Sequence, residues 1–284
     1  MIIHWPSPAK LNLFLHIIRR RSDGYHVLQT LFHFLNYGDT IKIIPTSDGK
    51  ICLFNSIIQI QNKHNLIIRA AKLLQFYCWP KGNAPGANIY LYKILPIGSG
   101  LGGGSSNAAT VLVALNQQWR TKLSLKILAK LGLMLGTDIP AFIYGKTSIV
   151  EGIGNILTPI NYPKKWYLIL MIPINISTKL IFSIFKLKHN KTKHSIIQLL
   201  NQPFYNEFEP LVKKMFPIIE QHLIWLSQYT LSRLTGTGSC IFAEFQDKSS
   251  AIKVQKLLPM QTRSIISEGT NISPLHQRLS QYNK

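Results

Sequence analysis

Acidic side chains are scarce in this sequence: 11 Asp and Glu residues stand against 32 Lys and Arg, a formal net charge of +21. Such an excess of positive charge first suggests nucleic acid or another acidic partner. The basic residues are scattered, however, and are dense only at 19–21 and 186–194. We therefore interpret the charge as compositional drift of the kind expected from an AT-rich genome, with a nucleic-acid surface as the alternative. Either origin would help to attract phosphorylated substrates.

Cysteines and long apolar runs are also scarce. Cys52, Cys78 and Cys240 are widely spaced, odd in number and free of any metal-ligand pattern, which fits a reducing compartment. No apolar run approaches the roughly 18 residues that span a bilayer. The first residues lack a basic segment followed by an apolar one, so we expect no secretory signal. These absences favour a cytoplasmic protein that is not held in a membrane.

Glycine, by contrast, is concentrated at residues 96–107, which we call the glycine loop. Five glycines fall within seven positions there, followed by Ser105, Ser106 and Asn107; they are Gly98, Gly100, Gly102, Gly103 and Gly104. Glycine lets the backbone approach a ligand closely, and a helix that starts behind the loop offers unpaired N–H groups. The pattern predicts a cradle for phosphate groups, and a flexible linker is the alternative.

The surroundings of the glycine loop exclude two nucleotide-binding motifs. A formal G-x-G-x-x-G spans 98–103, but a dinucleotide fold needs a carboxylate about 20 residues further on. No Asp or Glu occurs between Asp48 and Asp138. A P-loop is excluded because the loop carries no Gly-Lys-Ser/Thr. What remains is a cradle that uses backbone N–H groups and the hydroxyls of Ser105 and Ser106.

Asp138 is a candidate catalytic residue, because it is the only carboxylate between Asp48 and Glu151. It could take a proton from a substrate hydroxyl as a general base, or it could only cap the segment that starts at 139. Lys10, in an otherwise apolar predicted strand, could keep the carboxylate ionised. Alternatively, Lys10 has no partner in the site and only extends its ammonium to solvent.

The hydrophobic pattern predicts the following elements. Strands are expected at 6–18, 40–44, 51–54, 87–95, 147–150, 166–172, 240–245 and 262–267, with Lys10 and Asn12 on one face of the first. Helices are expected at 66–77, 108–119, 124–135 and 248–258, with short helices between 178 and 228. Asn65 and Ser124 are expected N-caps, and Asp48 and Gly49 a hairpin turn. Segment 159–165 is the best candidate for a domain boundary.

Several blocks of this sequence resemble the kinases named for galactose, homoserine, mevalonate and phosphomevalonate, the GHMP superfamily. The blocks are 6–13, 23–26, 96–106, 136–140 and 234–239, and the resemblance covers almost the whole length. The glycine loop alone indicates only the superfamily. The first two blocks resemble the branch that uses ATP to phosphorylate the 2-hydroxyl of 4-diphosphocytidyl-2-C-methyl-D-erythritol, in non-mevalonate isoprenoid synthesis.

The resemblance implies an α+β fold in two domains. An N-terminal ATP-binding domain of the ribosomal-protein-S5-domain-2-like type would cover 1–160. A C-terminal ferredoxin-like domain would cover 161–284. The resemblance further implies that ATP is the phosphate donor and that Mg²⁺ accompanies it, and it leaves the metal ligands unknown. The small-molecule cytidyl substrate is the implied partner, without nucleic acid or membrane, in a monomer or weak homodimer.

The resemblance also implies a role for individual residues. Lys10 and Asp138 match the catalytic pair. Asn12 and Thr178 match positions near the substrate's diphosphate and polyol, and Tyr25, His26 and Phe182 match the residues around the cytosine. The matched ATP-binding residues are Pro96, Ile97, Gly98, Ser99, Gly100, Leu101, Gly102, Gly103, Gly104, Ser105 and Ser106. The residues of the closing loop, which would seal the site, are Gly236, Thr237, Gly238 and Ser239.

Two residues depart from the pattern of that branch. Ser99 stands where another glycine is expected, and Ser177 replaces an expected proline. Neither change removes a catalytic group. The alternatives are a sister kinase that acts on mevalonate or homoserine, which would not need Tyr25, His26 and Phe182, and a basic nucleic-acid-binding protein.

Overall fold

Two long antiparallel strands, β1 (Ile3–Arg20) and β2 (His26–Thr46), form the hairpin on which the sheet is built. The turn between them contains Gly24 at a φ of 86°, and the Arg21 N–H donates to the Tyr25 carbonyl at 2.7 Å. The predicted first strand and the turn at 23–24 are thereby confirmed. The computed structural model describes residues 3–55, 65–187, 189–259 and 261–282.

The described residues form a mixture of strands and helices, which confirms the predicted α+β class. The further strands are β3 (Ile51–Asn55), β4 (Gly86–Tyr92), β5 (Ser148–Gly152), β6 (Ile156–Pro159), β7 (Trp166–Leu170), β8 (Ser232–Leu234), β9 (Ile241–Phe245) and β10 (Ser264–Thr270). The helices are α1 (Leu66–Cys78), α2 (Gly103–Gln118), α3 (Leu125–Leu133), α4 (Ile139–Tyr144), α5 (Thr178–Ile184), α6 (Ile196–Asn201), α7 (Glu209–Met215), α8 (Pro217–Ser227), α9 (Lys248–Gln255) and α10 (Pro274–Tyr282).

The sheet runs in the order β3-β4-β2-β10-β7-β9-β8, and β1 and β5 also pair with β2. β10 links its two halves, because it pairs with β2 at one end and with β7 along its length. The predicted hairpin at 48–49 is wrong. β4 lies between β2 and β3, pairing antiparallel with β2 and parallel with β3. The chain turns at 48–49 but does not return along β2.

Helix boundaries follow the capping residues at two predicted places. The Asn65 side chain accepts the Ile67 N–H at 3.0 Å, and the Ser124 hydroxyl accepts the Ile127 N–H at 3.4 Å. Both predicted N-caps are therefore confirmed. α2 begins at Gly103, five residues earlier than predicted, and α10 was not predicted. Among the helices of the described ranges, none is both long and apolar enough to pass through a bilayer.

The buried apolar side chains of the described residues form three clusters that meet around β1. The first packs α1, α2 and α4 under the N-terminal part of the sheet, around side chains such as Trp5 and Leu112. The second joins β7 and β9 to α7 and α8, around Phe208 and Leu226. The third connects β1 to β7 and β9. β1 therefore contributes to all three clusters, and polar side chains on this strand are held in a fixed frame.

Candidate active site

A cavity of about 570 Å³ opens between the glycine loop, β1 and the closing loop. Most of the site residues predicted from the sequence line it: Lys10, Asn12, Pro96, Ile97, Gly98, Ser99, Gly100, Gly102, Gly103, Gly104, Ser105, Asp138, Thr178, Phe182, Gly236 and Thr237. The lining does not include Tyr25, His26, Leu101, Ser106, Gly238 or Ser239. The fold thus brings together residues from 10 to 237 of the chain.

The N-terminus of α2 faces this cavity. Its N-cap, Gly102, has a φ of 75° and no side chain to bond the first N–H groups of the helix. The Ser106 N–H donates to the Gly102 carbonyl, so the helix geometry leaves the amides of 103–105 without an intrahelical acceptor. No acidic side chain lies in this first turn. The arrangement suits a phosphate group, and we call 98–105 the phosphate end of the cavity.

Two glycines of the phosphate end cannot be replaced without moving their neighbours. A Cβ on Gly100 would lie 2.2 Å from the Thr235 carbonyl oxygen, and one on Gly102 would lie 2.8 Å from the Phe142 ring. Both residues have positive φ, which side chains rarely tolerate. The glycines therefore serve close packing against the closing loop and α4, in addition to any approach to a ligand.

The serines of the glycine loop differ in what they can reach. The hydroxyl of Ser99 donates to the Pro96 carbonyl at 3.0 Å and so braces the loop. Ser106 is fully buried, with its hydroxyl oxygen 3.0 Å from that of Ser7. Of the two hydroxyls expected to face phosphates, only that of Ser105 belongs to a residue in the lining. The structure therefore does not support the expected contact from the Ser106 hydroxyl.

Lys10 and Asp138 form a charged pair in the lining of the cavity. Lys10 Nζ lies 3.5 Å from Asp138 Oδ2, with the lysine side chain 5% exposed and the aspartate 42%. Asp138 immediately precedes α4, yet its side chain makes no capping bond. The helix-cap alternative for Asp138 is therefore wrong, and the exposed-lysine alternative fails because Lys10 is buried. The carboxylate is open to the cavity and beside a cation.

The glycine loop and Thr235, the residue before the closing loop, are hydrogen-bonded to β1 next to this pair. The Lys10 N–H donates to the Leu101 carbonyl at 3.0 Å. The Asn12 N–H donates to the Thr235 hydroxyl, also at 3.0 Å. Lys10 Nζ itself donates to Asn12 Oδ1. These bonds fix the ammonium relative to both loops.

Thr178 and Phe182 line the cavity, and the His26 ring packs against Phe182. We call these three residues, together with Tyr25, the acceptor end. The His26 and Phe182 rings have centroids 5.3 Å apart, and Phe182 packs in turn against Phe208 at 4.7 Å. Burial, with a smaller contribution from the Arg20 charge, lowers the pKa of His26. Tyr25 is 54% exposed at the hairpin turn. The acceptor end is therefore built from side chains, and one of them projects into solvent.

A side-chain bond connects the acceptor end to the closing loop. The hydroxyls of Thr178 and Thr237 are 3.0 Å apart. The Ser177 hydroxyl accepts the Leu180 N–H at 3.3 Å and caps α5. The serine that replaces the expected proline thus starts the helix that carries Thr178 and Phe182.

Lys93 is a cavity residue that the sequence reasoning missed. Its Nζ lies 2.8 Å from Asp39 Oδ2, and Asp39 Oδ1 accepts the N–H groups of Ile94 and Leu95, each at 2.8 Å. Nζ also approaches the start of α2, 3.1 Å from where a Cβ of Gly103 would be. A lysine three residues before the glycine loop is the signal that could have found it. Breaking such a buried pair costs about 3–5 kcal/mol.

The oxygen donors of the cavity fit a magnesium ion carried by a nucleotide. Within the described ranges, no three His, Cys, Asp or Glu side chains lie together as a metal site would require. Mg²⁺ is usually held by one or two carboxylates together with substrate phosphates. The Asp138 carboxylate and the Ser105 hydroxyl, both in the lining, are donors of this kind.

Comparison with known proteins gives consistent results along the chain. Residues 65–146 match the family described as "GHMP kinases N terminal domain", and 187–258 match "GHMP kinases C terminal". A 4-diphosphocytidyl-2-C-methyl-D-erythritol kinase from Blochmanniella pennsylvanica is 56% identical, over 98% of this chain and 96% of that protein. One from Buchnera aphidicola subsp. Schizaphis graminum is 55% identical, over 97% and 96%.

A solved structure gives the same result in three dimensions. The crystal structure of a 4-(cytidine 5'-diphospho)-2C-methyl-D-erythritol kinase superimposes with a TM-score of 0.80. It is 27% identical, and the match covers 94% of this chain and 99% of that one. The likeness therefore includes both ends of the cavity and is not limited to the glycine loop.

Proposed function

The chain belongs to the GHMP kinase family, and on that premise we propose that it phosphorylates 4-diphosphocytidyl-2-C-methyl-D-erythritol on its 2-hydroxyl. ATP is the phosphate donor, and the products are the 2-phosphate and ADP. The reaction is an alcohol phosphotransfer in the non-mevalonate route to isopentenyl diphosphate. The observation that carries the proposal is a cationic, carboxylate-bearing centre between a helix N-terminus and an aromatic acceptor end.

ATP binds with its phosphates at the phosphate end. The free amides of 103–105 donate to phosphate oxygens, and the positive end of the α2 dipole favours their charge. Phosphoryl transfer depends mainly on positioning and charge stabilisation, so a rigid backbone cradle is suited to it. When bound, Mg²⁺ neutralises charge on the phosphates, and Ser105 and Asp138 are the residues that would hold it.

Asp138 takes the proton of the 2-hydroxyl as that oxygen forms its bond to the γ-phosphorus and the bond to ADP breaks. The carboxylate is suited to this role because it is half-exposed, uncapped and beside Lys10. Lys10 orients the carboxylate through their ion pair and supports the negative charge that develops on the transferred group. Asn12 holds the ammonium in place through its amide oxygen.

The acceptor end recognises the cytidyl group at a distance from the reacting hydroxyl. Tyr25 and Phe182 supply aromatic faces for the base, and His26 supplies hydrogen bonds. Binding energy from this remote part places the hydroxyl for transfer. Four expectations stay predictions. They are a domain boundary between residues 160 and 161, a cytoplasmic location, a monomer or weak homodimer, and the absence of nucleic-acid binding.

Thermal unfolding with added nucleotides tests this proposal. A ligand present at 100 times its Kd raises the free energy of unfolding by about 2.7 kcal/mol. CDP should therefore raise the Tm, and mevalonate and homoserine should not. A Phe182→Ala variant should lose the CDP effect and keep the effect of ATP. Stabilisation by mevalonate or homoserine without CDP would favour a sister kinase.

A further inference from the structure

The orientation of the Asn12 amide is set by a residue that has no assigned role, Thr30. The Thr30 hydroxyl donates to the Phe14 carbonyl, and its oxygen lies 2.9 Å from Asn12 Nδ2. The other side of the amide, Oδ1, accepts from Lys10 Nζ. All three polar residues are at least nine-tenths buried, so water does not easily replace these bonds.

The donors and acceptors of Thr30, Asn12 and Lys10 permit only one arrangement of these hydrogen bonds. A backbone carbonyl can only accept, so the single Thr30 hydroxyl proton goes to Phe14. The Thr30 oxygen is then an acceptor and requires the NH₂ group of Asn12. That choice points the Asn12 carbonyl oxygen at the Lys10 ammonium, which carries only donors. Without the Thr30 oxygen, the NH₂ group of Asn12 loses its acceptor, and of these bonds only the one to the cation still holds the amide.

A bulge in β1 places the Phe14 carbonyl within reach. The pairing of β1 with β2 shifts register between Asn12 and Leu15, and Leu15 is the residue opposite Thr30. Bulges often redirect groups beside active sites. Here the carbonyl of Phe14 meets a side chain of the neighbouring strand.

We propose that Thr30 is a positioning residue, which fixes the Asn12 amide and through it holds the Lys10 ammonium beside Asp138. This inference rests on the proposed kinase function. Thr30 acts on the transfer step and not on the binding of ATP, because its hydrogen bonds are to Asn12 and Phe14 and reach the site through Lys10. Thr30→Val keeps the shape of the side chain but removes the hydroxyl.

Steady-state kinetics of Thr30→Val, Thr30→Ser and a matched control test the proposal. Thr110→Val is the control, because Thr110 is also buried and its hydroxyl donates to a β1 carbonyl, that of Pro6, at 3.1 Å. Thr30→Val should lower kcat by about 10- to 100-fold, the scale of a 1 Å misplacement, with the KM for ATP unchanged. Thr30→Ser should restore most of kcat, and Thr110→Val should keep it.

A double-mutant cycle with Asn12→Ala separates positioning from general loosening of the fold. If Thr30 acts through Asn12, adding Thr30→Val to Asn12→Ala should lower kcat no further. A full additional loss in that background, or equal kcat for Thr30→Val and Thr110→Val, would overturn the inference. A wild-type protein that releases no ADP with the cytidyl substrate would instead refute the proposed function.

Discussion

The two ends of the cavity present different kinds of chemical group: backbone amides at one end and side chains at the other. At the phosphate end the groups available to a ligand are backbone amides, fixed by glycines that pack against Thr235 and Phe142. At the acceptor end they are side chains on a hairpin turn and a seven-residue helix, and Tyr25 is more than half exposed. A backbone cradle can serve any nucleoside triphosphate, whereas side chains can be exchanged to suit the acceptor. The difference explains how one superfamily fold can keep its donor and vary its acceptor.

The largest expected effect is at Asp138, where the two ends meet. Asp138→Asn should lower kcat by about 10²–10⁴, the usual contribution of a general base. The KM for the cytidyl substrate should change little, because the acceptor end is not altered. The side chain makes no capping bond, so the Tm should be retained. Steady-state kinetics with both substrates measures this, and near wild-type turnover would remove Asp138 from the chemistry.

The next effect concerns the rigidity of the phosphate end. Gly100→Ala puts a Cβ 2.2 Å from the Thr235 carbonyl and at a positive φ. It should raise the KM for ATP and lower stability by more than the roughly 1–2 kcal/mol of left-handed strain alone. Gly82→Ala is the matched control, since Gly82 has a φ of 93° and open space around it. Equal losses of stability in the two variants, measured by denaturant unfolding, would mean that the close packing is unimportant.

A smaller and more selective effect is expected at the acceptor end. Tyr25→Ala should weaken binding of CDP and of the cytidyl substrate by about 1–3 kcal/mol, the range for a base stacked on an aromatic ring. Binding of ATP should be unchanged. Tyr77→Ala removes a similarly exposed tyrosine from α1 and serves as the control. Calorimetric titration with CDP measures the difference, and unaltered CDP affinity would argue against stacking on Tyr25.

The smallest effect is a dependence on pH that is confined to the acceptor end. Since burial lowers the pKa of His26 from its ordinary value of about 6.5, the ring is mostly neutral at pH 7. The affinity for CDP should therefore change little from pH 8 to 7 and fall in more acid solution. His26→Asn should remove that fall. If CDP affinity already declined between pH 8 and 7 in the wild type alone, His26 would not be the neutral partner we describe.

The phosphate end was largely predictable because its signals are local. Adjacent glycines, a serine after them and a helix pattern all lie within a short stretch, and the capping residues Asn65 and Ser124 act on amides two or three positions away. The start of α2 was placed too late, since glycine has low helix propensity and the pattern recognised only the apolar part. Tertiary contacts of the first turn outweigh that propensity.

Contacts between distant segments could not be predicted from the pattern. Lys93 and Asp39 are 54 positions apart, and nothing local pairs them. The insertion of β4 between β2 and β3 was missed because alternation reveals a strand but not its neighbour. The residue pattern made Lys10 and Asp138 candidates, and the family resemblance added their match to a catalytic pair and the residues of the acceptor end. The structure adds that Lys10 and Asp138 are 3.5 Å apart.

ADP release measured with each candidate acceptor tests the central claim most directly. With ATP and Mg²⁺, we expect the wild-type protein to release ADP when 4-diphosphocytidyl-2-C-methyl-D-erythritol is added, and phosphorus NMR to detect a new phosphate monoester on the 2-oxygen. Asp138→Asn is the control for contaminating kinases. Release of ADP with mevalonate or homoserine, and none with the cytidyl substrate, would contradict the account.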